Sequence, residues 1–186
     1  MPKFEDSIRI ENVVASATLN QKIDLKAVVK GNPGVEYRPE TFPGLVFRLK
    51  RPKTAILIFS TGKMVCTGTK SEKEANRAVR KVVKELKKSG IIIPGKPEIK
   101  IVNMVASANL LGRIELEQSA YSLGKTMYEP EQFPGLIYRM DEPKVVILLF
   151  ASGKLVCTGA TKEENVHEAI IKLHEKLEEE DLIYYE

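Results

Sequence analysis

The 186-residue chain offers few groups that could do covalent chemistry. It has two cysteines, Cys66 and Cys157, each in a VCTG run, and two histidines, His167 and His174. A cysteine nucleophile needs a base within reach, and a zinc site needs ligand pairs at short spacing. Neither cysteine has a CxxC partner. Both histidines fall in a helical stretch beside glutamates, where a solvated surface is the expectation. The thiols therefore read as reduced and buried rather than bridged, catalytic or metal-bound, and no metal or other cofactor is expected. Ser60-Thr61-Gly62-Lys63 and Gly68-Thr69-Lys70-Ser71 look like pieces of phosphate loops, but neither completes G-x-x-x-x-G-K-[ST]. An enzyme is disfavoured. What remains is binding chemistry: amides, hydroxyls, phenylalanines and cations.

Those groups come in two sets, because the chain is a direct repeat. Residues 8–92 align with 99–183 at a constant offset and without a gap, and about two positions in five are identical. Ile8 to Ser16 matches Ile99 to Ser107, and Tyr37 to Leu45 matches Tyr128 to Leu136. Phe42 to Phe59, FPGLVFRLKRPKTAILIF, matches Phe133 to Phe150, FPGLIYRMDEPKVVILLF. Two copies predict a pseudo-dimer within one chain, a first repeat over 1–93 and a second over 94–186. The joint, Ile93-Pro94-Gly95-Lys96-Pro97, reads as a short turn, so the expectation is one body with an internal two-fold axis.

Composition sets the class. Hydrophobic residues at 43% and charged ones at 29% fit an ordinary globular fold, and no run approaches the ~18 apolar residues that span a bilayer. The start, MPKFEDSIRI, has no apolar core of a secretory leader. Net charge is only +4, yet 1–93 hold 19 Lys+Arg against 9 Asp+Glu while 94–186 hold 10 against 16. That split points to a polyanion on one side and a different, basic partner on the other.

Each copy must then build the elements that carry its polar and aromatic groups. Ile8 to Leu19 reads as a strand. Asp24 caps a short helix over Leu25 to Val29 that Gly31-Asn32-Pro33-Gly34 ends. An extended piece covers Val35 to Arg38, and Pro43-Gly44 favours a tight turn. Strands follow at Leu45 to Leu49, Thr54 to Ser60 and Lys63 to Thr67. Ser71, with Glu74 as its capping-box partner, opens a long helix. Its apolar stripe is Ala75, Ala78, Val79, Val82, Val83 and Leu86. The second copy is expected to repeat all of this, with Ile170, Ile171, Leu173 and Leu177 on its helix stripe.

Counting faces separates core from surface. One-sided helices can cover one face of a sheet, yet several strands are apolar on both alternations. With no element left to cover the second face, that face stays open and exceeds the few hundred Å² monomers usually expose. Free chains could pair through it as a homodimer. If Cys66, Ile56, Ile58 and Val13 face the helices, the outward set is Asn12, Val14, Val46, Arg48, Leu57, Phe59, Val65 and Thr67. In the second copy it is Asn103, Val105, Ile137, Arg139, Leu148, Phe150, Val156 and Thr158.

Such a face suits the DNA minor groove, whose floor is sugar edges and base acceptors common to both A·T orientations. Asn12, Asn103, Thr67 and Thr158 can donate to those acceptors. Close-packed valines and leucines disfavour the protruding guanine amino group. Arg48, Arg139, Lys63 and Lys154 can meet phosphates, and apolar wedges between base steps kink a duplex.

The doubled YxPExFPGL…R…PK…ILxF…GKxVCTG pattern resembles the TATA-binding protein family over 8–183, the general initiation factors whose kinking of DNA already illustrates minor-groove wedging and bending. The resemblance implies an α+β saddle: two direct repeats about a pseudo-two-fold axis, one curved ten-stranded antiparallel sheet, four helices on its convex face. It implies that Phe42 with Phe59, and Phe133 with Phe150, are wedge pairs at the two ends of a TATA element. It assigns groove contacts to Asn12, Asn103, Thr67, Thr158, Val14, Val105, Val65 and Val156, and implies a monomer on DNA. It implies that the loop of Glu129, Glu131 and Gln132 docks a TFIIB-like factor, which brings RNA polymerase indirectly. The short start, without the long extension of eukaryotic members, makes the chain look archaeal and so cytoplasmic. Two departures stand out: cysteine at Cys66 and Cys157, and a strongly basic first half. The competing reading on the same fold is a nonspecific nucleic-acid or protein-binding module.

Overall fold

The computed structural model describes residues 2–186, which fall into two compact units, 12–102 and 2–11 with 103–186. In the first of these, β1 (Arg9–Thr18) is followed by α1 (Leu25–Gly31), β2 (Glu36–Tyr37), β3 (Leu45–Lys50), β4 (Lys53–Ile58), β5 (Lys63–Thr69) and α2 (Glu72–Lys88). The opening residues of β1 belong to the other unit. Strand order is β2-β3-β4-β5-β1, each neighbouring pair antiparallel.

The other unit contains β6 (Glu98–Asn109), β7 (Arg113–Ile114), α3 (Leu116–Ser122), β8 (Thr126–Met127) and β9 (Leu136–Met140). β10 (Val145–Leu149), β11 (Lys154–Ala160), α4 (Glu163–Glu179) and β12 (Ile183–Tyr184) complete it. Its strands run β6-β11-β10-β9-β8, again antiparallel, and β7 pairs separately with β12. The ten expected sheet strands and four helices are thus present, five strands and two helices to a repeat, an α+β arrangement. The β7–β12 pair is an addition that the repeat did not announce.

Alternation explains the core. Val13, Ala15 and Ala17 on β1, Ile56 and Ile58 on β4, and Met64 and Cys66 on β5 are all buried. Against them lies the α2 stripe of Ala75, Ala78, Val79, Val82 and Leu86, spaced at three and four residues so that it occupies one side of the helix. The second unit repeats this with Leu155 and Cys157 on β11 beneath Val166, Ala169, Ile170, Leu173 and Leu177 of α4. Ile171, expected on that stripe, is 36% exposed instead. It sits one residue past Ile170, which rotates it about 100° around the helix, toward solvent.

Helix starts differ between the copies. Asp24 accepts the backbone N–H groups of Lys26 and Ala27, and Ser71 accepts that of Glu74 at 3.1 Å. Their counterparts Glu115 and Lys162 form no side-chain cap, so the expected repetition fails there. A lysine has no acceptor to offer, and a glutamate arm is longer than the short side chains that cap best.

His174 also departs from expectation. It is 9% exposed rather than solvated. Its ring stacks on Phe4 at 4.0 Å, its Nε2 lies 2.9 Å from the Tyr185 hydroxyl, and its Nδ1 lies 3.1 Å from Glu178. Phe4 belongs to a 3₁₀ turn, Phe4–Ser7. The Ser7 hydroxyl accepts the Asn109 N–H at 2.8 Å and lies 3.0 Å from the Asn109 carbonyl. The start of the chain is therefore clasped onto the second repeat.

Candidate nucleic-acid interface

Strand register gathers the outward residues of each repeat into rows. In the first unit Val46, Leu57, Val65 and Ser16 lie opposite one another across four strands, and Arg48, Ala55 and Thr67 form the next row. In the second, Ile137, Leu148, Val156 and Ser107 make one row, and Arg139, Val146, Thr158 and Val105 the other. Cross-strand neighbours on one face lie about 4.5–5.5 Å apart, so each row is continuous: the rows that end in Ser16 and Ser107 are otherwise apolar, and the other two begin at an arginine and pass through a small apolar residue to a threonine. Every one of these residues is half-buried or exposed, while the residues between them are buried except Tyr138, which is half-buried. Ala55, Val146, Ser16 and Ser107 share the face and were missed, although the same period of two contains them.

Asn12 and Asn103 are held by a device that composition could not reveal. The ladder slips between Val13 and Ala15 on β1 and between Thr158 and Ala160 on β11. At the slips Gly68 and Gly159 adopt φ of +104°, which side-chain-bearing residues rarely take. Their N–H groups leave the ladder and donate to Asn12 Oδ1 at 2.8 Å and Asn103 Oδ1 at 2.7 Å. A backbone N–H can only donate, so each asparagine must present oxygen there and its NH₂ on the other side. Nδ2 then donates to Thr67 Oγ1 at 3.1 Å, or Thr158 Oγ1 at 3.2 Å. One amide hydrogen of each asparagine is left over, on the face of the sheet. The geometry fixes the amide as a donor toward whatever covers it.

The phenylalanines lie beyond the rows along the strands, Phe59 just past the end of β4 and Phe150 just past the end of β10. Phe42 is 41% exposed and Phe133 37%, and each meets its partner edge to face, Phe59 at 5.9 Å and Phe150 at 5.8 Å between ring centres. Gly44 and Gly135, read as turn formers, are needed for space instead. Neither has positive φ, but a Cβ on Gly44 would stand 2.7 Å from Phe42 and 3.0 Å from Phe59. One on Gly135 would stand 2.7 Å from Phe133 and 2.9 Å from Phe150. Gly62 and Gly153 close the following turn, where Phe59 accepts the Gly62 N–H and Phe150 the Gly153 N–H, both at 2.9 Å.

Cations edge both faces. Arg48, Lys63, Arg139 and Lys154 are exposed, and Arg48 has only a loose contact with Glu36 at 3.9 Å. Arg9 and Ser7, unforeseen by the alternation, line a cavity of about 730 Å³ with Phe150, Lys154 and Val156. The acidic loop places Glu129, Glu131 and Gln132 in solvent, its turn closed by the Gln132 and Phe133 N–H groups on the Glu129 carbonyl.

Both cysteines are free and lie on the helix side, away from these rows. Burial pushes the Cys66 thiol up to about 11 and that of Cys157 up to about 12, so neither is a thiolate nucleophile at neutral pH. Among the described residues no cluster of three or more metal-ligating side chains occurs, and no helix is long and apolar enough to cross a membrane.

Comparison with known proteins agrees with the repeat. The family described as transcription factor TFIID (or TATA-binding protein, TBP) matches twice, over residues 7–89 and 98–180. The TATA-box-binding protein of Sulfolobus acidocaldarius is 54% identical over 180 residues, 97% of this chain and 91% of that one. That of Pyrodictium occultum is 56% identical over 168 residues, covering 90% and 84%. The solved structure of Methanococcus jannaschii TBP superposes with a TM-score of 0.84 at 50% identity, covering 93% of this chain and 99% of that one. The chain belongs to the TATA-binding protein family.

Proposed function

We infer that this chain is a general transcription initiation factor that binds the TATA box in the minor groove of double-stranded DNA. The observation that carries the reading is the twice-built amide donor, held by Gly68 and Gly159 in the middle of an apolar strip. Minor-groove edges of A·T pairs present acceptors only, while a G·C pair adds an amino donor. An outward amide hydrogen flanked by Val14, Val65, Val105 and Val156 suits the first and collides with the second. Leu57 and Leu148 extend the apolar contact. Each repeat supplies one wedge pair, Phe42 with Phe59 and Phe133 with Phe150, to unstack a base step. Arg48, Lys63, Arg139 and Lys154 meet phosphates, and Arg9 adds a cation at the Phe150 end. The acidic loop of Glu129, Glu131 and Gln132 recruits a TFIIB-like factor and, through it, RNA polymerase. The working unit is residues 1–93 with 94–186, one monomer per site, acting on the archaeal nucleoid in the cytoplasm.

A gel shift with a TATA duplex against a G·C duplex of equal length, at one salt concentration, tests this. Preference for the TATA duplex by tenfold or more is expected. Equal affinity would replace the reading with a nonspecific nucleic-acid module on the same fold.

A further inference from the structure

The two long helices share one backbone design and carry opposite charge. α2 bears seven basic and three acidic residues, α4 six acidic and two basic. At equivalent positions of the repeat, Arg77, Lys84, Lys87 and Lys88 correspond to Glu168, Glu175, Glu178 and Glu179, all exposed. Helical stability does not require either sign, since the same fold carries both.

Shape follows charge. On the α2 side, a groove of about 500 Å³ has Val83 and Pro97 in its lining and Arg80, Lys84, Lys87 and Lys96 around them. None of these four cations is within ion-pair distance of a carboxylate among the described residues. On the α4 side, the equivalent of Arg80 is Ile171, an apolar side chain left 36% exposed. Glu168 and Glu175, three residues before it and four after, stand on the same side of the helix. An apolar knob between carboxylates thus matches an apolar-floored groove between cations.

We propose that the acidic face of α4 on one copy of this chain docks, through Ile171, into the basic groove of α2 on a second copy. The contact uses different surfaces on the two copies, so it can repeat from copy to copy along a row. A 17-residue helix is only about 25 Å long, and one helix in one groove falls short of the ~1,200 Å² of a standard interface. The association is therefore weak in free solution and gains weight where copies sit side by side and the effective concentration is high.

Sedimentation of the full chain, at concentrations up to about 1 mM, tests it. Self-association should appear at low salt and fade as salt shortens the screening length from about 10 Å to about 3 Å. Association through the apolar sheet face would strengthen with salt instead. Lys84→Glu with Lys87→Glu should weaken it at least tenfold, as should Glu175→Lys with Glu178→Lys. Both pairs of substitutions install residue types that the other repeat already tolerates. An equimolar mixture of these two variants should associate again, because an acidic α4 then meets an intact basic α2 and the two reversed helices meet each other. Ile171→Gln should weaken wild-type association with the charges intact. A wild-type chain that stays monomeric at low salt overturns the proposal. So does a mixture that fails to associate, or an Ile171→Gln variant that associates as tightly as wild type.

Discussion

Replacing Asn103 with aspartate separates the fold from its proposed use. The substitution keeps the size and shape of the side chain. Its oxygen still accepts the Gly159 N–H, now 2.7 Å away, and a carboxylate makes that bond stronger. The Thr158 hydroxyl, 3.2 Å from the amide nitrogen, turns its hydrogen toward the new oxygen. Thermal stability at neutral pH should therefore stay within about 0.5 kcal/mol of wild type. DNA binding should not. The leftover amide hydrogen disappears, which removes base contacts of about 1–3 kcal/mol. The carboxylate also opposes base acceptors that lose their water without gaining a partner, a further penalty of about 1 kcal/mol or more. The sum, about 2–4 kcal/mol, is a loss of roughly 30- to 1,000-fold, readable by fluorescence anisotropy on a TATA duplex beside a thermal melt. Asn103→Ala loses the donor without adding charge and should lose less. The gap between the two variants should narrow at high salt. An aspartate variant that melts normally and binds TATA DNA within about twofold of wild type would refute the outward donor. One that unfolds would refute the description of the Gly159 lock.

Phe150→Ala should reduce DNA bending, read as a longer end-to-end distance by energy transfer across a labelled duplex, while a melt shifts little because the ring is only half-buried; an unchanged distance counts against the wedge. Glu129→Arg with Glu131→Arg should leave TATA binding within a few-fold and abolish the ternary complex with a TFIIB-like factor in a supershift; an unaltered supershift removes that loop from the partner site. The cysteines set a pH prediction. Their folded thiols are held above the ordinary value of 9.0 by burial, so above pH 9 the unfolded chain releases protons that the folded chain keeps. Stability is then fully present below about pH 9 and falls as pH rises toward 11 and 12. Cys66→Val with Cys157→Val should flatten that alkaline decline in a pH series of melts, and an equally steep decline would place its cause elsewhere.

The sequence carried much of this and stopped at identifiable points. A period of two sorted Val13 from Val14 and Cys66 from Val65 because each strand has one covered face, and the covered face must be apolar. The count of helices against faces left the second face open. The Asn12–Gly68 lock lay beyond reach because it depends on a slipped ladder, and a slip is a property of two strands rather than of either. Gly44 read as a turn former because Pro-Gly favours turns locally; its actual constraint is two aromatic rings brought in from different strands. His174 looked solvated because glutamates surround it along the helix. The ring that covers it, Phe4, comes from the far end of the chain. The cis peptides at Arg51-Pro52 and Glu142-Pro143 also left no mark beyond the prolines themselves.

The Phe4–His174 contact bears on the order in which the protein can be made. Residues 12–102 form a contiguous unit, so every contact they make among themselves is available once the ribosome has passed the first repeat. Domains generally fold as units during synthesis, N-terminal first. The other unit needs residues 2–11 together with 103–186. Phe4 and Ser7 emerge before the first repeat does, yet their partners His174 and Asn109 come more than a hundred residues later. Phe4 and Ser7 must wait for these partners until the last helix leaves the tunnel. A bulky domain fused just ahead of Phe4 would then delay completion of the second repeat rather than of the first, to which it is adjacent in sequence.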